Sequence, residues 1–379
     1  MKMLHQEIIV DILTRLPAKS IGRFRCVSKP WKSLLSQPHF IKTHLNRTKH
    51  DLREESLILF CDESQSMYSI QLNNKNAHHV FDKITTPATK LCFYDHHNFA
   101  STTFARNMAS CDGLILVRDE EDKLVLVNPT TREVKELPCS PYALDPGASF
   151  TMYGLGYDSV SDDYKVVTIS YYDTDNEHEP DCTEMFVNVY SVRHGSWKCA
   201  DSSPYDHAVG HLAAGVCVDG FIYWLASRNS DYSSVIAAFD LGEEKFREMP
   251  PPSLVDREKF VFNHLVALGG CLCMFSSSGT CETDFWVMKQ YGVAESWTKI
   301  TIINPEESEL RPMCLLGKEQ VVLVKDEETV DEKLVMYNLE EGSFKDIAVH
   351  GVSDQFCVGG SFIESLVWPH CKNGDIREC

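Results

Sequence analysis

Five stretches of this 379-residue chain repeat one shape at nearly even intervals, and that repetition limits the fold more than any other feature. Each has an apolar strand, a polar turn, and then a hydrophobic or aromatic residue set among charges. They are Val125-Leu126-Val127-Asn128-Pro129 with Glu133-Val134-Lys135, Val189-Tyr190-Ser191-Val192 with Ser196-Trp197-Lys198, Ala238-Phe239-Asp240-Leu241 with Lys245-Phe246-Arg247, Trp286-Val287-Met288-Lys289 with Ser296-Trp297-Thr298, and Met336-Tyr337-Asn338-Leu339 with Ser343-Phe344-Lys345. The anchors Val134, Trp197, Phe246, Trp297 and Phe344 lie 63, 49, 51 and 47 residues apart. The long interval exceeds the next by 14, and Tyr171–Glu184 is a polar, acidic stretch of that length, read here as a loop insertion. Every anchor but Trp197 follows a glycine-led apolar strand, as in Asp112-Gly113-Leu114-Ile115 and Asp219-Gly220-Phe221-Ile222. Glycine there permits positive φ or a close backbone approach.

From about Ser56 the chain runs in short apolar or alternating segments parted by Gly, Asp and Asn, an all-β signature. A period near ~50 is that of kelch-like propeller blades. In a propeller each small sheet buries its faces on its neighbours and no long edge stays bare. Residues 56–370 then hold about six blades, with 371–379 as a tail. A stretched β-sandwich would supply the strands but not the regular anchors. The expected class is mainly β with a small α-helical N-terminal domain.

That helical domain is residues 1–46, followed by a linker over 47–55. Ile8, Ile9, Ile12, Leu13 and Leu16 recur at three- and four-residue spacing, one stripe of a helix. Pro17 is expected to stop it. Ser20 is read as the cap of a second helix, with Ile21, Phe24 and Val27 on one side and Arg23 and Arg25 on the other. Pro30 suits the first turn of a third, whose buried stripe is Trp31, Leu34 and Leu35. Pro38 is expected to end it, with Phe40, Ile41 and Leu45 in a last turn. Some forty residues cannot bury this much apolar surface alone. The cluster either docks on the rest of the chain or is completed by another protein.

Charge favours a protein partner. Residues 1–50 hold ten Lys/Arg against two acids, while 51–379 hold 26 against 53. An acidic body repels nucleic-acid phosphate, and a head that only neutralised phosphate would not need to be apolar. An acidic protein partner fits the head better. The longest mostly apolar stretch, Leu265–Phe275, is 11 residues, short of the ~20 of a membrane helix, and no charged-then-apolar leader opens the chain. A soluble, non-secreted protein without membrane insertion is expected. Its 15 cysteines include no C-x-x-C pair. Cys271 and Cys273 have no second pair at zinc spacing, and His78–His79 and His96–His97 stand alone, so reduced thiols and no structural metal are expected.

The run Leu4-His5-Gln6-Glu7-Ile8-Ile9, Ile12-Leu13-Thr14-Arg15-Leu16-Pro17-Ala18-Lys19-Ser20-Ile21, Arg23-Phe24-Arg25-Cys26-Val27-Ser28-Lys29-Pro30-Trp31-Lys32-Ser33-Leu34-Leu35 and Pro38-His39-Phe40 resembles a plant F-box. The family usually begins Leu-Pro. Leu4-His5 departs from it, removing a few tenths to ~1 kcal/mol of helix-start preorganisation. The resemblance implies a helical hook for the acidic Skp-family adaptor, and through it the cullin and RING subunits of a ubiquitin ligase. Carried over by position, Leu4, Ile8, Ile12, Leu13, Leu16, Pro17, Phe24, Val27, Trp31 and Leu34 would form the hook or its support. Further on, Tyr153-Gly154-Leu155-Gly156-Tyr157-Asp158-Ser159-Val160-Ser161-Asp162-Asp163-Tyr164-Lys165-Val166-Val167 is similar to the signature of the plant F-box-associated interaction domain. Val127-Asn128-Pro129-Thr130-Thr131-Arg132 and Glu295-Ser296-Trp297-Thr298-Lys299 resemble further family segments. The subgroup it resembles is the constitutive-expresser-of-pathogenesis-related-genes type, which implies turnover of immune receptors. S-locus F-box proteins of pollen share the architecture.

Catalytic signatures are missing from the sequence. There is no G-x-S-x-G, H-E-x-x-H or P-loop, and Gly154 and Gly156 start a G-x-G-x-x-G that fails at Ser159. No paired zinc sites of a RING are written, so a non-catalytic, cofactor-free recruiting subunit is expected, in cytoplasm or nucleus. A propeller enzyme or carbohydrate-binding protein with a non-functional head is the reading from a different class, and a scaffold that degrades nothing is a third. For target binding the candidates are loop residues Tyr171, Tyr172, Asp173, Asp175, Glu177, Tyr205, His207, Arg228 and Tyr232, an acidic, aromatic-edged rim suited to a basic target patch.

Overall fold

The structure is a computed structural model. It describes residues 6–50, 55–61, 63–72, 78–80, 83–93, 108–118, 123–144, 149–172, 185–208, 214–228, 230–231, 233–252, 263–276, 281–304, 306–317, 319–326, 332–353 and 355–368. Four helices come first: α1 (Gln6–Leu13), α2 (Ala18–Arg25), α3 (Lys29–Leu35) and α4 (Pro38–His50). Prolines start two of these helices. Pro17 is the N-cap residue of α2 and Pro38 its counterpart at the first position of α4, because a fixed φ near −65° is preorganised for a first turn. Ser20 therefore lies inside α2 and caps nothing. The cap that forms is Ser28, whose Oγ accepts from the Trp31 N–H at the start of α3. The last helix is also longer than the single turn expected, continuing past residue 46 to His50.

Of the 26 described strands, 24 form six four-stranded antiparallel ladders, and two short ones, His78–Val80 beside Lys83–Lys90 of the first and Tyr205–Asp206 in the fourth, are added to them. In chain order, the second is Ala109–Cys111, Leu114–Arg118, Leu124–Asn128 and Glu133–Glu136, and the third is Ser149–Asp158, Asp163–Tyr172, Phe186–Ser191 and Ser196–Cys199. The fourth runs Val216–Val218, Phe221–Arg228, Ser234–Asp240 and Lys245–Met249, with Tyr205–Asp206 added beside Phe221–Arg228. The fifth is Asn263–Leu268, Cys271–Ser276, Glu282–Met288 and Trp297–Ile303, and the sixth Glu309–Leu316, Gln320–Asp326, Glu332–Asn338 and Ser343–His350. The first is composite. Its strands Glu55–Cys61, Ser66–Gln71 and Lys83–Lys90 are completed on the inside by Cys357–Ile363, from the far end of the domain. The outer strands of the first and sixth ladders also pair, in parallel.

Period-two alternation turns these ladders into a ring. Leu57, Leu59 and Cys61 face the sixth ladder, where they pack with Val322, Val324 and Met336, while Ile58 and Phe60 face the second and pack with Ile115, Val117 and Val125. The same alternation recurs between second and third, third and fourth, fourth and fifth, and fifth and sixth ladders. Inner strands neighbour one another all the way round. Each fully buried Leu, Ile, Val or Phe in these seams contributes ~1.5–3 kcal/mol relative to exposure, so neighbouring ladders hold each other in place.

The sequence anchors mark the outermost strands. Val134, Trp197, Phe246, Trp297 and Phe344 each open a fourth strand, in register with Val127, Tyr190, Phe239, Met288 and Tyr337 on the third. The glycines serve the first hairpins: Asp112 and Gly113 have φ 55° and 83°, the double positive φ of a two-residue I′ turn. Gly154 has another purpose. A Cβ there would lie 2.5 Å from Ile222 Cγ2, so this glycine lets the third ladder approach the fourth. That packing role is why the incomplete G-x-G-x-x-G occurs without a phosphate site.

The helical head docks on the ring. Leu45 of α4 enters the seam of the second and third ladders, and Leu366 enters the head's own core. Lys42 Nζ donates to Tyr157 Oη at 3.1 Å and pairs with Asp162 at 3.3 Å; Lys49 pairs with Asp112 at 2.5 Å. Among the described residues no helix is long and apolar enough to cross a membrane.

His207, nominated as a loop residue facing a target, is instead part of the fourth ladder's core. It is fully buried, 5.6 Å from the Phe246 ring and 6.2 Å from Trp224, with Nε2 2.8 Å from Ser203 Oγ. Burial pushes its pKa down to about 3 from the ordinary 6.5. The unfolded chain takes up a proton below about pH 6.5 that the folded protein refuses, so the stability present above that pH is lost progressively as pH falls toward 3. In urea unfolding between pH 6 and 4, wild type is expected to lose about 1.4 kcal/mol per pH unit more than His207→Gln. Equal slopes would refute a neutral buried imidazole.

Candidate interaction surfaces

The head core consists of Leu13, Ala18, Ile21, Leu35 and Phe40, joined by Leu366. Leu16, Phe24, Trp31 and Leu34 are half-buried around it, with Phe24 and Trp31 edge-to-face at 5.5 Å. Leu13, at 3% exposure, is support and not surface. Ile8 and Ile12, one turn apart on α1, are 47% and 50% exposed, and Val27 beyond α2 is 66% exposed. Pro17 is exposed as well. Leu4 and the Leu4-His5 departure lie outside the described residues.

The opposite side of α1 is fixed to α4. Arg47 pairs with Asp11 at 2.5 Å and donates to Thr14 Oγ1 at 2.7 Å. The hydrogen bond from Arg47 holds the Asp11 carboxyl below the usual carboxylate range. His44 Nε2 lies 2.8 Å from the Leu16 carbonyl, and burial lowers its pKa. The Leu16 carbonyl can only accept, so Nε2–H is the donor. These bonds fix which face of α1 turns outward, and that face carries Ile8 and Ile12. Arg23, Lys29 and Lys32 on α2 and α3 are exposed as well, cations that suit an anionic partner.

A second surface lies at the other end of the ring. The hairpins holding Asp112 and Asp162 share the end on which the head sits; the other end carries the turns between second and third strands and the connections between ladders. Here Tyr172 is exposed at the end of its strand, edge-to-face with Phe186 at 5.9 Å. Tyr205 is in register with Arg228. The Arg228 guanidinium pairs with Glu248 and donates to Ser233 Oγ at 2.6 Å. Tyr172, Tyr205 and Arg228 thus share one rim, spanning the third and fourth ladders. Tyr171 does not join them as a surface group: it is buried, 5.7 Å from Phe150, because strand alternation turns it inward as it turns Tyr172 out. His207 is likewise excluded. Asp173, Asp175, Glu177 and Tyr232 lie outside the described residues.

Sequence reasoning missed Phe150 and Tyr142, both exposed at this same end. Phe150 is in register with Tyr171, a pairing legible only once the two ten-residue strands are aligned.

The signature-like segment has a structural role. Asp158 accepts from the Val160 N–H and the Ser161 hydroxyl, shaping its turn. Lys165 crosses to the fourth ladder, pairing with Asp158 at 2.9 Å and Glu244 at 2.8 Å and donating to the Leu241 carbonyl at 2.6 Å. Tyr164 donates to Asp112, which also holds Lys49 of the head, while Tyr157 and Asp162 hold Lys42. One short segment therefore joins three ladders and the head. The Asp162-Asp163 pair is occupied by these contacts and by Ser191 and Arg193.

Comparison with known proteins agrees with this arrangement. The profile described as F-box domain matches residues 2–43, and that described as F-box associated beta propeller domain matches residues 57–368. The chain is 30% identical to F-box protein CPR1 of Arabidopsis thaliana, covering 100% of this chain and 91% of that protein. It is 28% identical to an F-box/kelch-repeat protein of the same plant, covering 89% and 88%. A solved fungal lectin from Aleuria aurantia, titled a six-bladed β-propeller, matches at TM-score 0.43 and 8% identity over 83% of this chain and 93% of that one. At that distance the likeness says nothing of function. With four docked helices matching the one profile and the ring of ladders the other, this chain belongs to the F-box proteins that carry an F-box associated β-propeller domain.

Proposed function

We propose that this protein is a substrate-recognition subunit of an SCF (cullin–RING) ubiquitin ligase, its head binding a Skp-family adaptor and its far rim a protein destined for ubiquitination and proteasomal degradation. The observation that carries this is the head's division into two sides. One is sealed onto the ring through Leu45, Leu366, Lys42 and Lys49. The other keeps Ile8, Ile12 and Val27 in water, with Arg23, Lys29 and Lys32 exposed as well. An apolar strip left bare while the core beneath it is complete is what an obligatory protein partner covers, and the exposed cations of α2 and α3 suit an acidic one. The target side is the rim of Tyr172, half-buried Tyr205 and Arg228, to which we add Phe150 and Tyr142; exposed aromatic rings such as Tyr172, Phe150 and Tyr142 anchor protein interfaces.

On this reading the chain supplies proximity and no reactive group. Holding a target near a ubiquitin-loaded enzyme raises the effective concentration of its lysines. Turnover of a plant immune receptor, in cytoplasm or nucleus, is the finer assignment, and it rests on the subgroup resemblance alone.

Ile8→Asp/Ile12→Asp is expected to weaken binding of purified Skp-family adaptor at least 100-fold, measured by calorimetry, with the propeller's melting temperature unchanged because both side chains are solvent-facing. Retained affinity would overturn the head's role. Changing Leu16 or Trp31 instead would disturb the packing of the head and confuse loss of contact with loss of fold. At the rim, Phe150→Ala/Tyr172→Ala is expected to reduce proximity labelling of cellular targets severalfold while adaptor affinity stays as in wild type. An unchanged labelling profile would remove the rim from the proposal.

A further inference from the structure

Residues 364–368 follow the ring-closing strand Cys357–Ile363 and lie between ring and head. Their side chains divide by parity. On the head side, Glu364 pairs with Lys19 at 2.7 Å while also accepting from Gln71 Nε2 of the ring at 2.6 Å, Leu366 is buried in the core of Leu13, Ala18, Ile21, Leu35 and Phe40, and the Trp368 ring lies 5.8 Å from the Arg25 guanidinium. On the ring side, Ser365 packs against Gly113, where a Cβ would come within 2.4 Å of its Oγ. Val367 joins the seam that also takes Leu45. Backbone bonds complete the attachment: Asn128 Nδ2 donates to the Val367 carbonyl at 2.7 Å and the Ser365 carbonyl at 3.3 Å, and the Ser365 N–H donates to Thr130 Oγ1 at 3.3 Å. Asn128 is itself locked, its Oδ1 accepting from the Thr130 and Thr131 N–H groups. Alternation of this kind belongs to an extended strand with a different neighbour on each face. Here one neighbour is the ring and the other is the head.

We infer that Glu364–Trp368 is a working part of the adaptor-binding head, with Leu366 as its positioning residue; the inference rests on the adaptor-binding reading above. Leu366 packs into the one core that Leu13 of α1, Ile21 of α2, Leu35 of α3 and Phe40 of α4 share, the core whose helices carry Ile8 and Ile12 and, just past α2, Val27. Removing it leaves a hole under the hook, and the surrounding helices relax only partly to fill such a hole. The residue completing the hook thus comes from over three hundred positions away in the chain, and the first 50 residues alone do not contain the whole adaptor site. Because binding free energies are reciprocal, an adaptor seated on α1 and α2 in turn steadies the segment beneath them.

The test uses the full chain and purified Skp-family adaptor. Leu366→Ala is expected to weaken adaptor binding about tenfold with the propeller's melting transition intact, and Leu366→Met to restore affinity to within about twofold. In wild type, adaptor binding is expected to slow amide hydrogen exchange at Ser365 and Val367, a response that packing alone would not give. Wild-type affinity in both Leu366→Ala and Leu366→Asp, or unchanged exchange at Ser365 and Val367 on adaptor binding, would overturn the inference. Should an altered propeller melt accompany Leu366→Ala, the Lys19→Glu and Glu364→Lys single variants, with their double variant, decide: lost affinity recovered in the double supports the inference, and no loss in either single refutes it. Failure of wild type itself to bind the adaptor would instead bring down the function proposed above, and this inference with it.

Discussion

The pairing of Cys357–Ile363 with Glu55–Cys61 is the contact on which the other arrangements depend. A row of β-ladders has two open ends, and each end exposes an apolar face and an unpaired edge. Here the last strand of the domain becomes the inner strand of the first ladder, so Leu57 and Leu59 can meet Val322 and Met336 across the closing seam. The same strand then delivers Glu364–Trp368 to the underside of the head. Closure of the ring and placement of the helices are consequences of one chain path. A lesion in that strand would loosen both at once.

What the sequence revealed depended on how local the cause was. Anchors such as Trp197 and Phe344 were legible because each follows a tight turn and faces a fixed partner a few residues back. Asp112-Gly113 was legible because a two-residue turn with positive φ at both positions demands such residues. The head's stripe was legible from helical period alone. Where the reading failed, the deciding neighbour was distant or the local signal had two meanings. A proline can both end one helix and start the next: α1 and α3 stop short of Pro17 and Pro38 as expected, but each proline also begins the following helix, which displaced the cap read at Ser20. His207 looked like a loop residue because the apolar wall around it, Trp224 and Phe246, comes from elsewhere in the ladder. Nothing in Glu364-Ser365-Leu366-Val367-Trp368 announces that alternate side chains meet different structures.

Charge in this protein works by place, and its net value of −19 says little about any one contact. The cations of α4 are used internally: Lys42 and Lys49 meet Asp162 and Asp112 on the ring. The Lys42–Asp162 pair is about half exposed on both sides and such exposed pairs contribute little, ~0–1 kcal/mol, whereas Lys49 reaches an Asp112 side chain that is buried. Burial of Leu45 and Leu366 stabilises the docking, and the ion pairs, whose partners sit at fixed places on the ring, favour this orientation of the head. On α2 and α3, Lys19 and Arg25 turn to Glu364 and Trp368, while Arg23, Lys29 and Lys32 stay exposed. One basic head therefore has an inward set of charges that orients it and an exposed set open to a partner.

Docking at one end of the ring also fixes how far the strip stands from the far rim. In the third ladder the strands running from the head's end to the rim, Ser149–Asp158 and Asp163–Tyr172, are ten residues each, and at ~3.3 Å per residue they span about 33 Å. A flexible tether would let a captured target sample many distances, diluting any one lysine among them. A docked head removes that freedom. On the ligase reading, which lysine of a target is presented is then decided by how the target seats on Tyr172, Phe150 and their neighbours. The thickness of the β-ring becomes the ruler of the assembly, and the seams that make the ring rigid are what keep that ruler constant.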